Sequence, residues 1–153
     1  MKTRFNFGAV APDAYKAVVA LEAYCQNSGL PKRLIHLIKL RASIINGCSY
    51  CVDMHSKEAR HDGLSEQWIN LVSAWHESSV FTDEERAVLA FTDSLTLVAQ
   101  TRAPDADYEE LRQYFSEADT ANIIVVIGAI NVWNRIAVGT RKKHPVDAEA
   151  KAA

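Results

Sequence analysis

The stretch Leu30–Arg60, LPKRLIHLIKLRASIINGCSYCVDMHSKEAR, decides the fold. Pro31 sits where the first turn of a helix tolerates proline. Leu34, Leu37, Ile38, Ile44 and Ile45 then recur at helical spacing and form an inward stripe. His36, Lys39 and Ser43 share a polar strip of that helix, at i, i+3 and i+7. Asn46-Gly47 is a strong stop signal. A further helix follows from about Cys48 to Arg60, closed by His61-Asp62-Gly63 with Gly63 as a left-handed cap. The pattern predicts two helices folded back on each other about Asn46-Gly47, with a cysteine at the start of the second.

Working outward, the same reading gives more helices and no convincing alternating strand. Upstream, Asp13 is expected to cap a helix with Ala17, Val18, Leu21, Tyr24 and Cys25 on its apolar stripe, ended by Gly29. Downstream, Ser65 caps a helix carrying Trp68, Leu71, Val72 and Trp75. Thr82-Asp83-Glu84-Glu85 is a capping box that opens a helix with Val88, Phe91, Leu95 and Val98 inward. A short helix is expected from Asp105 to Phe115, and a last one from about Asp119 to Val138. The last helix is apolar almost all round through Ile123–Ile127, as befits a central core helix or one with a face covered by another subunit. The fold class is all-α: one domain over residues 1–144, followed by a polar tail over 145–153 expected to be disordered.

Composition agrees and excludes several functions. With 153 residues, 48% of them hydrophobic, the chain can bury a core without cross-links. Only 6 glycines and 4 prolines make for few turns and long elements. A net charge of −2 argues against binding nucleic acid or an anionic membrane through electrostatics. The basic cluster Arg141–His144 suits the negative end of the last helix instead. The N-terminus lacks the apolar stretch of a signal peptide, and Ile123–Ile130 is far short of the roughly 20 apolar residues of a membrane span. An odd count of 3 cysteines is a poor disulfide framework. A reducing cytoplasm is expected, and any close cysteine pair there calls for a chemical explanation.

Cys48, Cys51 and His55 supply that chemistry. Their spacing puts all three on one face of a helix beginning near Cys48. The two sulfurs can close a small disulfide ring, and the imidazole lies one turn from the second. Unpaired N–H groups and the positive end of the helix dipole favour thiolate over thiol. A thiolate attacking a peroxide O–O bond becomes a sulfenic acid, and the neighbouring thiol condenses with it. An external dithiol then restores the pair by exchange. Other readings of these residues stay open: half a zinc site completed by His55 with His61 or His36 lacks the usual second pair. Covalent haem attachment is excluded by Val52 after the second cysteine. Cys25, on an apolar stripe, reads as a buried inert thiol, and Tyr50 and Trp133 read as core residues that could also line a pocket.

The same stretch resembles the AhpD-like alkylhydroperoxidases of the carboxymuconolactone decarboxylase family, whose signature is a glutamate twelve residues before Cys-x-x-Cys-x-x-x-His. The resemblance extends through DEERAVLAFTDSLTLV and INVWNRIAVGTR, from about Pro31 to Arg141. It implies an all-helical fold, assembly as a homo-oligomer (trimer or hexamer), and thiol-dependent peroxidase or disulfide reductase activity without a bound cofactor or metal. It implies that Cys51 is the peroxidatic cysteine, Cys48 the proton donor and resolving partner, and His55 part of a proton relay. The partners it implies are a hydroperoxide substrate and a lipoyl-bearing or thioredoxin-like dithiol reductant. A non-enzymatic redox sensor or stress-response protein is the alternative from another class, and a lactone decarboxylase is suggested by the family label alone.

One position departs from the signature: twelve residues before Cys48 stands His36. In a helical hairpin His36 lies about 15 Å back along one arm and His55 about 10 Å along the other, by 1.5 Å per residue, so His36 is within reach of the relay. An imidazole cannot supply the negative charge that orients and stabilises an imidazolium. Weaker or more alkaline-shifted activity is therefore expected.

Overall fold

The computed structural model describes residues 2–147, all-helical with no strand among them. Asn6 caps a one-turn helix, α1 (Phe7–Val10), by accepting from the Ala9 N–H at 3.3 Å. Pro12 opens α2 (Pro12–Gln26) at the position where its missing N–H costs nothing. The expected cap, Asp13, lies inside the first turn, and Ala11 before it provides no side-chain cap. Only Cys25 of α2 is fully buried, while Tyr15, Val19 and Tyr24 stay exposed. Of the expected inward stripe Cys25 is buried and Val18 and Leu21 are half-buried, Leu21 against the core, while Ala17 and Tyr24 are exposed.

The central hairpin forms as read. Helix α3 (Lys32–Ile45) buries Leu34, Leu37 and Ile38, and with them the polar Lys39 and Ser43. Asn46 ends it and Gly47 turns the chain with φ 63°, a left-handed value that disfavours any side chain. Cys48 is the N-cap of α4 (Ser49–His61), which Gly63 terminates with φ 86°.

Ser65 caps α5 (Glu66–Leu71), but this helix tightens into a 3₁₀ segment, Val72–Glu77, with Ala74 outside helical geometry. The Trp68, Val72 and Trp75 stripe is buried nonetheless. The Thr82–Glu85 capping box starts α6 (Asp83–Thr96). Val98, expected on its inner stripe, instead begins a separate turn, α7 (Val98–Thr101), and is half exposed because the helix breaks at Leu97. A short helix, α8 (Asp105–Arg112), and the long, capped α9 (Glu117–Thr140) complete the described fold.

Helix α3 packs against α4, α6 and α9, and α9 also packs against α2 and α6. By length and a mean hydropathy of 1.6, α9 meets the criterion for a membrane span, yet its Ile123, Val126, Ile127 and Ile130 are buried in the core. Its outer face leaves Ile124, Val132 and Val138 exposed. The expected disordered tail lies, beyond Asp147, outside the described residues; His144–Asp147 carry no helix.

Candidate active site

The Asn46-Gly47 turn delivers Cys48 to the mouth of α4 and locks it there. The Asn46 amide donates to Asn131 Oδ1 (3.0 Å) and Asn134 Oδ1 (2.9 Å), tying the turn to α9. Asn134, itself buried, donates to Ser43 Oγ at 3.0 Å, and Ser43 donates to the Lys39 carbonyl at 2.7 Å. This strap of side chains anchors the start of α4 against two other helices.

Both sulfurs are 1% exposed, and both are free thiols. Cys48 Sγ accepts the Cys51 N–H at 3.4 Å, as an N-cap does. The Cys48 thiol is brought down to about 7, chiefly by the Cys51 thiol donating to it, against burial, with the Cys51 and Tyr50 N–H groups and the Asn134 amide adding support. Cys51 is pushed up, because it holds the proton for Cys48, is buried, and faces that anion. The pair therefore carries one negative charge and one proton, with the charge resting on Cys48. Only Cys51 of the two lines the neighbouring cavity. Cys25 is buried elsewhere in the core, where desolvation raises its thiol, as expected of an inert residue.

His55 lies one turn beyond Cys51 and is 4% exposed. Its Nδ1–H donates to Glu58 Oε2 at 2.8 Å, which leaves the buried Nε2 as the acceptor nitrogen without a partner. The Glu58 carboxyl is held below its usual range, mainly by this bond, with further help from the charges of Lys39 and His36. Behind it, Lys39 is 2% exposed and pairs with Glu22 of α2. Burial pushes the Glu22 carboxyl up, but the Lys39 and Gln26 hydrogen bonds outweigh it and hold the group below its usual value.

His36 is placed differently from the other three. Its Nε2–H donates to Asp62 Oδ2 at 2.9 Å, and it lines a separate cavity of about 410 Å³ with Lys32 and His61. Glu58 lines both cavities. The carboxylate missing at position 36 is thus supplied to His55 from its own helix. His61 is exposed and also turns to Asp62, so both candidates for the second imidazole of a zinc site, His36 and His61, are held by Asp62.

Cys51, His55, Glu58 and Glu22 lie on one cavity of about 760 Å³, walled by the N-terminal arm, Tyr50, Trp133 and Lys142. Tyr50 and Trp133 therefore line a pocket. Sequence reading missed Glu58, although an acid at i+3 from a histidine is a readable helix pair. It saw Lys39 and Ser43 as a polar strip without their partners, Glu22 and Asn134, which come from distant segments.

The carboxymuconolactone decarboxylase family profile matches residues 12–94. An uncharacterized protein, YdfG, of Bacillus subtilis is 35% identical over 90% of this chain and 94% of its own length. The alkyl hydroperoxide reductase AhpD of Rhodospirillum centenum is 32% identical over 48% of this chain and 41% of its own. A crystal structure from Agrobacterium tumefaciens, of a protein of unknown function linked by name to antioxidant defence and AhpD, superposes with a TM-score of 0.94. It is 62% identical, covering 95% of this chain and all of that one. Profile, relatives and fold converge, and the chain belongs to the carboxymuconolactone decarboxylase family as an AhpD-like member.

Proposed function

We propose that this protein is a thiol-dependent hydroperoxidase that cycles Cys48 and Cys51 between dithiol and disulfide. What supports the reading is the meeting of a shared-proton thiol pair with an unpartnered imidazole nitrogen at the floor of one cavity. The chain's family and its AhpD-named relatives point the same way.

The Cys51 proton passes to Cys48, and the cavity-facing Cys51 thiolate attacks the terminal peroxide oxygen. An S–O bond forms, the O–O bond breaks, and the departing alkoxide takes the Cys48 proton through His55 Nε2 to leave as an alcohol. The Cys48 thiolate then attacks the sulfenic acid, forming the disulfide and expelling hydroxide, which takes a proton from solvent through the same imidazole. A dithiol reductant exchanges with the disulfide, is itself oxidised, and returns both thiols. Glu58 holds His55 in the tautomer that keeps Nε2 free. The cycle belongs in a reducing compartment, as the cytoplasm is, and the exposed apolar faces of α2 and α9 are the surfaces for self-association.

Peroxide consumption with small dithiol, lipoyl and thioredoxin-type donors tests this. Catalytic turnover is expected, abolished in Cys51→Ser, while Cys48→Ser traps an oxidised sulfur that reacts with sulfenic acid probes. Stoichiometric thiol loss without turnover on any donor overturns it in favour of a sensor.

A further inference from the structure

The cavity above Cys51 has two chemically distinct parts. One is apolar and aromatic: Trp133, edge to face with Tyr15 at 5.8 Å, shares the lining with Phe5 of the N-terminal arm and Phe7 of α1. That arm is clasped to the end of α9, where the Arg4 N–H donates to the Thr140 carbonyl (2.9 Å) and the Arg4 guanidinium to the Gly139 carbonyl (2.8 Å). Phe5 is nonetheless 47% exposed at the mouth, an aromatic surface with space before it. The other part is charged. Glu22 pairs with Lys39, and Glu58 accepts from the His55 Nδ1–H. Among the described residues, neither Lys142 nor Lys143 pairs with a carboxylate. Lys142 Nζ stands 4.0 Å over the ring of Tyr50, which packs against Cys48 and Cys51.

We infer that the cavity selects organic hydroperoxides that carry an apolar or aromatic body and an anionic group. The peroxide meets Cys51 and the open Nε2 of His55, the body lies against Trp133 and the arm, and the anion pairs with Lys142 and Lys143. A volume of about 760 Å³ is in the range of small-ligand sites, far more than hydrogen peroxide requires. The sign of the ligand's charge follows from these two lysines, which no carboxylate among the described residues pairs. The inference rests on the hydroperoxidase reading for the reacting group, and on the cavity alone for the body and the anion.

The two are separated by measuring binding and turnover independently. Cys51→Ser protein is titrated calorimetrically with para-carboxylated cumyl alcohol, the product form of the ligand, and with its methyl ester. The acid is expected to bind about fivefold more tightly or better, the worth of a favourable partly exposed ion pair. The preference is expected to vanish when Lys142→Gln and Lys143→Gln are added. Wild-type kcat/KM for para-carboxylated cumene hydroperoxide is expected to exceed that for cumene hydroperoxide by a similar factor. Equal binding of acid and ester, or a preference that survives loss of both lysines, overturns the inference even if peroxide is consumed. Preferential binding of the acid with no consumption of either hydroperoxide overturns the peroxidase reading and keeps the anion site.

Discussion

The two sides of α3 carry polar clusters of opposite character. Toward α6, Arg41 grips Asp93 with Nε (2.6 Å) and Nη2 (2.8 Å), and Trp75 Nε1 donates to the same carboxylate at 3.2 Å. Nearby, buried Glu85 accepts from Arg33 Nε (2.6 Å), Trp68 Nε1 (3.2 Å) and the Thr82 N–H (3.1 Å). Each carboxylate there is matched by several donors, which is the arrangement that holds helices in place. Toward α2, α4 and α9 the groups are Lys39, Ser43, His36 and His55, and here two buried imidazole nitrogens lack partners. A cluster with unused hydrogen-bonding capacity can take up and pass on a proton; a saturated one cannot.

Breaking each cluster should separate chemistry from stability. Cys51→Ser is expected to cut peroxide turnover about a thousandfold or more with little change in melting temperature. The opposite split is expected for Asp93→Ala, which strands the Arg41 guanidinium and the Trp75 N–H. Urea unfolding should register a loss of about 3 kcal/mol while the thiolate titration keeps its midpoint. An unchanged unfolding midpoint would show that the α6 side does not hold the fold.

Smaller effects sharpen the active side. Glu58→Gln keeps a hydrogen-bonding partner for His55 but removes its charge, and a fall in rate of about tenfold is expected in steady-state assays. Ultraviolet absorbance of the thiolate should rise through a midpoint near the value of about 7 held by Cys48, with the amplitude of one sulfur. Because folding lowers this thiol from its ordinary value of 9.0, the stability it contributes is fully present above that value and is lost as pH falls through about 7. Cys48→Ser should remove the step. The smallest change is expected for His36→Glu, since His36 bonds to Asp62 and lines a different cavity from His55. A rate within about twofold of wild type and an unmoved pH profile are expected; a tenfold gain would place position 36 in the relay after all.

Reading the chain residue by residue went furthest where local hydrogen bonding decides the outcome. Gly63 as a left-handed cap, Ser65, and the Thr82–Glu85 box are written in a few adjacent residues, and the helices begin and end accordingly. Where helices must fit a neighbour, the reading strayed. Val98 keeps the apolar spacing of α6 but falls beyond a break at Leu97, and of the stripe of α2 Ala17 and Tyr24 are left exposed. Periodicity says which residues share a face, not what covers it.

The site divides along the same line. Sequence alone determined that two sulfurs and an imidazole share one face at the start of a helix, because their spacing is the period of the helix itself. Which sulfur opens on the cavity, and the pairing of Lys39 with Glu22, of Asn134 with Ser43 and of Lys142 with Tyr50, were decided by tertiary structure. Those partners are brought together by the packing of α2, α3, α4 and α9, and no spacing along the chain encodes a contact between segments that meet only when the core closes.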